Sequence, residues 1–401
     1  MGIRTGRKVR RNLLGMLLLI LLVLPSAGCW DSTEVEELAV ITLLGFDWVH
    51  ENGQDQWLVT GRISDPGGGG GEMGNSPKGA RKEKIIKGYG ATILEAMDDM
   101  TMHSSRTPFW GGLAATILGE RAAQEKLQEF IDVKMRFREA RPHTYVMITQ
   151  GLAYDLLQAE PLLDQALARE IKRMIDRRTH ETGNSCRVTT ADFVATLLSP
   201  DRDAVASKIR LVLPEDKAEG SKTPGVVLDG MGFFRGDRLA GWLGREETLG
   251  YILITHRLSQ GDINIPLELE GRGLTVKLIR SKPKIKETFS QGQVSFQITL
   301  KAQGTLYEGG GLNLTEEEMN RIEQAAGRVV EDSAAKAVTV AQEYGADFLG
   351  LSQNLHRLHP TVWREIQPSW REKFQQAVVE VQADIEILHA GRGGKKLEIK
   401  K

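Results

Sequence analysis

The sequence predicts a multidomain protein of the α+β / α/β class: mixed sheets with packed helices, and a C-terminal antiparallel sheet covered by one long helix. Three observations predict it. Leu113 to Thr149 runs strand, helix, strand in a βαβ-like order. Residues 315 to 345 keep one amphipathic helical period of roughly thirty residues. Val379, Val381, Ala383, Ile385 and Ile387 alternate with Glu380, Gln382, Asp384 and Glu386, so one face of that strand is buried and the other meets water. At 401 residues the chain exceeds one ordinary core, and two or three domains are expected.

The first element is an export signal rather than part of the fold. Arg4, Arg7, Lys8, Arg10 and Arg11 precede an apolar core, Leu13 to Leu24, that is too short to span a bilayer unaided. Ser26, Ala27 and Gly28 before Cys29 resemble a lipobox, with Ser26 standing where the usual pattern has Leu. Residues 1–28 then form a lipoprotein signal peptide, and Cys29 becomes a diacylated N-terminus; an ordinary cleaved signal and an uncleaved anchor are the alternatives. Two acyl chains hold a protein firmly where one binds reversibly.

An N-terminal α/β region, 29–213, follows, expected to hold two subdomains. Val35 to Phe46 and Gln56 to Ile63 read as strands of a first sheet. The segment 66–77, with five consecutive glycines, reads as a flexible surface loop. Thr92 and Glu95 form a capping box for a helix over Ile93 to His103. Leu113 to Leu118 is a buried strand, and the helix from Glu120 turns Ala123, Leu127, Phe130 and Ile131 inward. Thr144 to Thr149 is the next strand, leading through Gly151 into a short helix. Helices over Leu162 to Arg177 and Ala191 to Leu198 complete the region, the second capped by Thr189 and Asp192.

Residues 214–225 lose all periodicity and read as a linker to a C-terminal α+β domain, 226–392, with a basic tail at 393–401. Val226 to Phe234 and Leu239 to Leu243 flank Arg235-Gly236-Asp237-Arg238, a hairpin signal. Strands are expected at Ile263 to Leu269, Leu274 to Arg280 and Val294 to Ala302. Thr315 with Glu318 caps the long helix, whose apolar face carries Met319, Ile322, Ala326, Val329, Val330, Ala337, Val340 and Tyr344, and Gly345 stops it. A shorter helical stretch, Ala346 to Leu358, precedes the last strand.

Composition and motifs exclude more than they assign. Removing the five basic residues of the signal takes the formal charge from −1 to −6, which leaves no electrostatic footprint for nucleic acid. Only Cys186 accompanies Cys29, so neither a disulfide framework nor a cysteine-based metal site can form within one chain. The glycine run lacks the Lys-Ser or Lys-Thr of a phosphate loop, and no Gly-x-Ser-x-Gly elbow occurs. Ser333 and Lys336 have Ser-x-x-Lys spacing but read as a solvated face of the long helix. His356 and His359 lack the carboxylate of a zinc-protease motif, His180-Glu181 stands alone, and Asp98-Asp99 cannot face one substrate together. No catalytic residue, cofactor or metal is expected. The aromatic residues Phe233, Phe234, Trp242, Trp363, Trp370 and Phe374 read chiefly as core.

Several blocks, in order, carry a resemblance. Cys29-Trp30-Asp31 leading to Glu37-Leu38-Ala39 and Gly45-Phe46-Asp47, then Arg136 to Arg141 with Tyr145 and Gly151, then Gly232 to Leu243 with Glu247, Thr248 and Gly250, and finally Glu343 to Asp347 with Pro360, Trp363 and Trp370 resemble the Ger(x)C family, the lipoprotein C subunits of spore germinant receptors. The glycine run looks like a local insertion. The resemblance implies a three-domain α/β protein on the outer face of the spore inner membrane, tethered by lipid on Cys29. It also implies two integral-membrane partners, A and B, of which B is transporter-like and binds the nutrient, and no catalytic role.

Three classes of function compete on these residues: an accessory receptor subunit acting in assembly or signal coupling, a solute-binding lipoprotein that captures the nutrient itself, and an envelope hydrolase. The absence of any catalytic constellation speaks against the third. For the first, the hairpin offers an interface candidate, since Arg235, Arg238 and Trp242 supply the cationic and aromatic character of interface anchors; Trp242 as core with solvated arginines is the alternative.

Overall fold

A computed structural model describes residues 15–16, 37–64, 83–137, 141–178, 182–213, 224–255, 262–290, 293–308 and 315–389. Cys29, the glycine-rich segment 66–77, His180-Glu181, nearly all of the 214–225 linker and the 393–401 tail lie outside them.

The first sheet begins with β1 (Leu38–Glu51) and β2 (Gln54–Ser64), an antiparallel pair joined by Asn52 and Gly53. Both turn residues have positive φ, 53° and 78°, the geometry a two-residue hairpin needs to match strand twist. β3 (Glu83–Gly90) extends the sheet beyond β2, and β4 (Thr107–Phe109) pairs with the start of β1. On the other side β1 runs parallel to β5 (Ala115–Gly119), which pairs in parallel with β6 (Tyr145–Thr149), and that with β7 (Val205–Val212). Every residue of β5 and β6 is buried, because the connecting helices cover both faces of the sheet. Phe46, Leu118 and Ile148 face one core, while Leu43, Ile117 and Met147 face the other.

β8 (Gly225–Arg235) and β9 (Arg238–Leu243) then add to β7 as an antiparallel hairpin, giving the order β3-β2-β1-β5-β6-β7-β8-β9. The first sheet therefore draws strands from both sides of the expected linker at 214–225.

The connecting helices are α1 (Ile93–Met102), α2 (Glu120–Glu125), α3 (Leu127–Arg136), α4 (Ala153–Leu157), α5 (Leu167–Arg173) and α6 (Thr190–Leu197). Thr92 accepts from the Glu95 N–H as its spacing predicts, but the Glu95 carboxylate takes the N–H of Ala91 rather than that of Thr92, so the expected box is half-formed; Thr189 with Asp192 forms a complete one. Two expectations need correction. The helix from Glu120 breaks at Lys126, whose φ of −133° is not helical, and Ile131 is only partly buried. The helix expected from Leu162 starts at Leu167, because the Glu170 carboxylate takes the N–H groups of Leu162, Leu163 and Asp164 at 2.8, 2.9 and 3.3 Å and holds that segment in a turn.

α7 (Arg245–Ile254) leads to the second sheet, β10 (Ile263–Leu269), β11 (Arg272–Ser290), β12 (Gln293–Glu308) and β13 (Val378–His389). β10, β11 and β12 are antiparallel neighbours, but β13 lies parallel to β12, so the expected wholly antiparallel sheet is mixed. The long helix and three short ones form a crossover that returns the chain to the same end of the sheet, and a crossover delivers a parallel strand. These are α8 (Glu316–Tyr344), α9 (Leu351–Leu358), α10 (Pro360–Ile366) and α11 (Trp370–Gln376). Thr315 caps α8 by accepting from Glu318 N–H, and Gly345 ends it with φ 58°. Ile322, Ala326, Val330 and Ala337 are buried, as the helical period requires, while Tyr344 stays 41% exposed. Ser333, expected on a solvated face, is instead buried where α7 crosses α8; only Lys336 is exposed, paired with Glu246. Ala346 to Gly350 is not helical, for a reason that belongs to the site.

Candidate interaction face and interdomain joint

The β8–β9 hairpin turns at Gly236 and Asp237, with Arg235 opposite Arg238 and both arginines exposed. Gly236 has φ 60° and its N–H donates to Asp203 Oδ1 at 3.0 Å, so the tip is pinned to the segment before β7. Trp242 does not join the two arginines. It pairs with Gly232 at the far end of the hairpin, four residues from Arg238 and roughly 13 Å along the strand. There its indole N–H donates to Glu120 Oε1 at 3.2 Å, and Lys208 Nζ lies 5.6 Å from the ring centroid. The hairpin thus presents two arginines at its exposed tip, with Arg238 Nε 4.0 Å from Asp237 Oδ1, while its tryptophan is half-buried against α2.

Beside that tip runs a groove of about 910 Å³, lined by α1, α3, Leu198, Asp237 and Arg238. Leu94, Met135 and Leu198 are 51%, 61% and 63% exposed along it. Its charged rim is internally matched: Arg136 pairs with Asp132 at 2.7 Å and Lys126 with Glu129 at 2.6 Å.

The second feature is a knot of carboxylates where the first sheet meets the helices of the second. Asp347 is buried, and its carboxylate accepts the N–H groups of Gly350, Leu351 and Ser352 at 2.9, 3.0 and 2.7 Å and the Ser352 hydroxyl at 2.6 Å. These bonds hold Ala346 to Gly350 as a turn and delay α9 to Leu351. Burial pushes the Asp347 carboxyl up against those donors. Asp203 accepts the N–H groups of Gly236 and Asp347 and the guanidinium of Arg371 at 3.2 Å, and Arg371 also donates to Gly345 O at 2.8 Å. Burial alone raises the Asp201 carboxyl, yet hydrogen bonds from Ser199 and His356 outweigh it and hold the group below its usual range. His356 Nδ1 lies 2.7 Å from Asp201 Oδ2, and the His359 ring sits edge-on to Phe289, so the two histidines serve separate contacts. No cluster of three or more His, Cys, Asp or Glu side chains suited to a metal occurs among the described residues. Periodicity cannot reveal the knot, since its carboxylates come from segments about 150 residues apart and act together only after folding.

Apart from the half-buried Trp242, the aromatic residues expected in the core are buried there. Phe233, Phe234 and Phe374 are fully buried, and Trp363 and Trp370 gather into one cluster with Phe374. Phe233 and Tyr251 both contact Phe348, which ties β8 and α7 to the turn after α8.

No helix among the described residues is long and apolar enough to cross a membrane. Two family models match the chain: a spore germination protein N-terminal domain over residues 31–211, and a spore germination B3/GerAC-like C-terminal region over 229–391. Among curated relatives, the putative spore germination protein YfkR of Bacillus subtilis (strain 168) is 23% identical, with 96% of this chain and 97% of the relative aligned. Spore germination protein B3 of the same organism is 24% identical over 93% and 97%, and spore germination protein KC is 21% identical over 96% and 97%. The crystal structure of the GerBC protein superposes with a TM-score of 0.54 at 19% identity, covering 86% of this chain and 97% of that one. It therefore shares this mixed α+β fold.

Proposed function

Because the chain belongs to the GerAC-like spore germination family, we propose that it serves as the lipid-tethered accessory subunit of a nutrient germinant receptor. On this reading Cys29 carries the diacylglycerol, the body stands on the outer face of the spore inner membrane, and its surfaces hold or couple the integral A and B subunits. The observation that carries it is the end-to-end match to germination proteins, with 97% of YfkR, B3 and KC each aligned. A solute-binding lipoprotein would be expected to have two similar lobes around a cleft, and the nine-stranded and four-stranded sheets here differ in size and order.

Affinity purification from spore membranes tests the reading: A and B subunits should be recovered in fixed ratio with this chain. Cys29→Ala should abolish the lipid mass and detergent partitioning, and a variant that still carries lipid would reject the anchor. The exposed hairpin tip is the proposed contact. Arg235→Ala with Arg238→Ala should leave thermal unfolding unchanged, weaken recovery of A and B, and slow nutrient-triggered germination. Full recovery with normal germination would exclude the tip from the interface.

A further inference from the structure

A second cleft, of about 570 Å³, opens between the segment before β7, α9 and the edge of β11. Arg202, Lys282 and Arg357 line it, and among the described residues no acidic side chain does. Each cation reaches it from a different element. The Arg202 stem lies against Gly350, where a Cβ would sit 3.4 Å from Cδ and the φ of 74° already favours glycine. Its Nε donates to Phe348 O and its Nη2 to Tyr251 Oη, both at 3.3 Å, which fixes the guanidinium and commits neither bond to a carboxylate. Arg357 is steadied by Asn354 Oδ1 at 3.0 Å.

Among the described residues, none of these three cations forms an ion pair with a carboxylate. Asp201, Asp203 and Asp347 are close in sequence or space, but they are occupied by His356, by Arg371 and by backbone N–H groups respectively. Three like charges around one cleft repel unless an anion sits among them. Lysines on a sheet edge guard it against unwanted pairing, and that accounts for Lys284 and Lys286 along the part of β11 that, among the described residues, pairs with β12 alone. It does not account for Arg202 and Arg357 lining the same cleft as Lys282. Pro283, Ile285 and Leu349 supply an apolar wall.

We infer that this cleft binds a small organic oxyanion, a carboxylate or phosphate on a compact apolar body. The charge-assisted bonds come from all three cations. Because Arg202 belongs to the first sheet's connections and Lys282 to the second sheet, the bound anion would bridge the two. This goes beyond the accessory-subunit reading and does not depend on it, since binding is read on the purified protein alone.

The test is calorimetric titration of the full chain in detergent with inorganic phosphate and, separately, succinate, each against chloride at equal ionic strength. At least one should bind with a Kd below about 1 mM, and which one binds names the acid. Lys282→Gln with Arg357→Gln, both exposed, should keep the unfolding midpoint and weaken binding about tenfold or more. Lys284→Gln with Lys286→Gln should leave the affinity unchanged. Absence of binding by both probes, wild-type affinity in the first double variant, or equal loss in the second would overturn the site.

Discussion

Lys134 and Asp47 are titratable groups that the fold places against the grain of their charge. The Lys134 ammonium reaches inward from α3, donates to Thr116 Oγ1 at 2.7 Å and lies 5.3 and 5.6 Å from the Phe46 and Phe130 ring centroids. Burial drives its pKa down to about 7. Asp47 caps α4, accepting from Ala153 and Tyr154 N–H at 2.7 and 2.9 Å, yet burial outweighs those bonds and drives it up to about 7. The linkage signs are opposite. Folded Asp47 holds its proton more tightly than the unfolded chain, so its contribution is full at low pH and is lost as pH rises towards 7. Folded Lys134 holds its proton less tightly, so stability is regained as pH rises from about 7 towards the unfolded value of about 10.4. These two groups together give a stability minimum near neutrality. Lys134→Met should raise stability at pH 6 by about 2–4 kcal/mol and flatten the rise above pH 7. Urea unfolding at several pH values measures both, and an unchanged slope in the variant would mean that the ammonium stays solvated.

At the scale of elements, helix–helix contact sets the tolerances. Gly250 on α7 faces α8 so closely that a Cβ would lie 2.1 Å from Ser333 O and 2.9 Å from Ala334 Cα. Backbone cannot yield as a side-chain end can, so Gly250→Ala should force the helices apart and cost about 2–4 kcal/mol. Gly273, with open space where its Cβ would stand, should tolerate Ala within about 0.5 kcal/mol. Equal effects by chemical denaturation would show that the crossing is loose. The same scale separates what the sequence reveals from what it hides. Thr92, Thr189 and Thr315 announce their helices because a cap and its partner lie within three residues. The alternation in β13 is visible for the same local reason, but its parallel pairing is not, since that follows from where a long crossover returns. β7 escapes a reading by pattern because Val205–Val212 mixes Ser207, Lys208 and Arg210 among its apolar residues without clean alternation. The Asn52-Gly53 turn is legible in principle. The convergence of Lys282, Arg202 and Arg357 is not, because no local rule brings a sheet edge, a loop and a helix to one cleft.

The molecule as a whole is more continuous than the expected linker at 214–225 suggests. One buried cluster runs from Phe46 and Phe130 through Phe233, Tyr251 and Phe348 to Phe296 and Ile298, and so spans both sheets. Asp203 fastens the same joint with polar bonds to the hairpin, to the turn after α8 and to Arg371 on α11. A chain ending at residue 213 would lose β8 and β9. That would leave β7 without its antiparallel neighbour and remove Phe233 and Phe234 from the core. We therefore expect the fragment 29–213 to lack cooperative unfolding and to aggregate, and the fragment 226–392 to carry an exposed, unpaired hairpin. The full chain should unfold in a single transition, because a continuous core couples the two sheets. Asp203→Ala should lower that transition by about 2–3 kcal/mol without splitting it, since the aromatic contacts of Phe233 and Tyr251 with Phe348 remain. Calorimetry on the variant decides: two resolved transitions would mean that the polar knot, rather than the shared apolar core, makes the two sheets one cooperative unit.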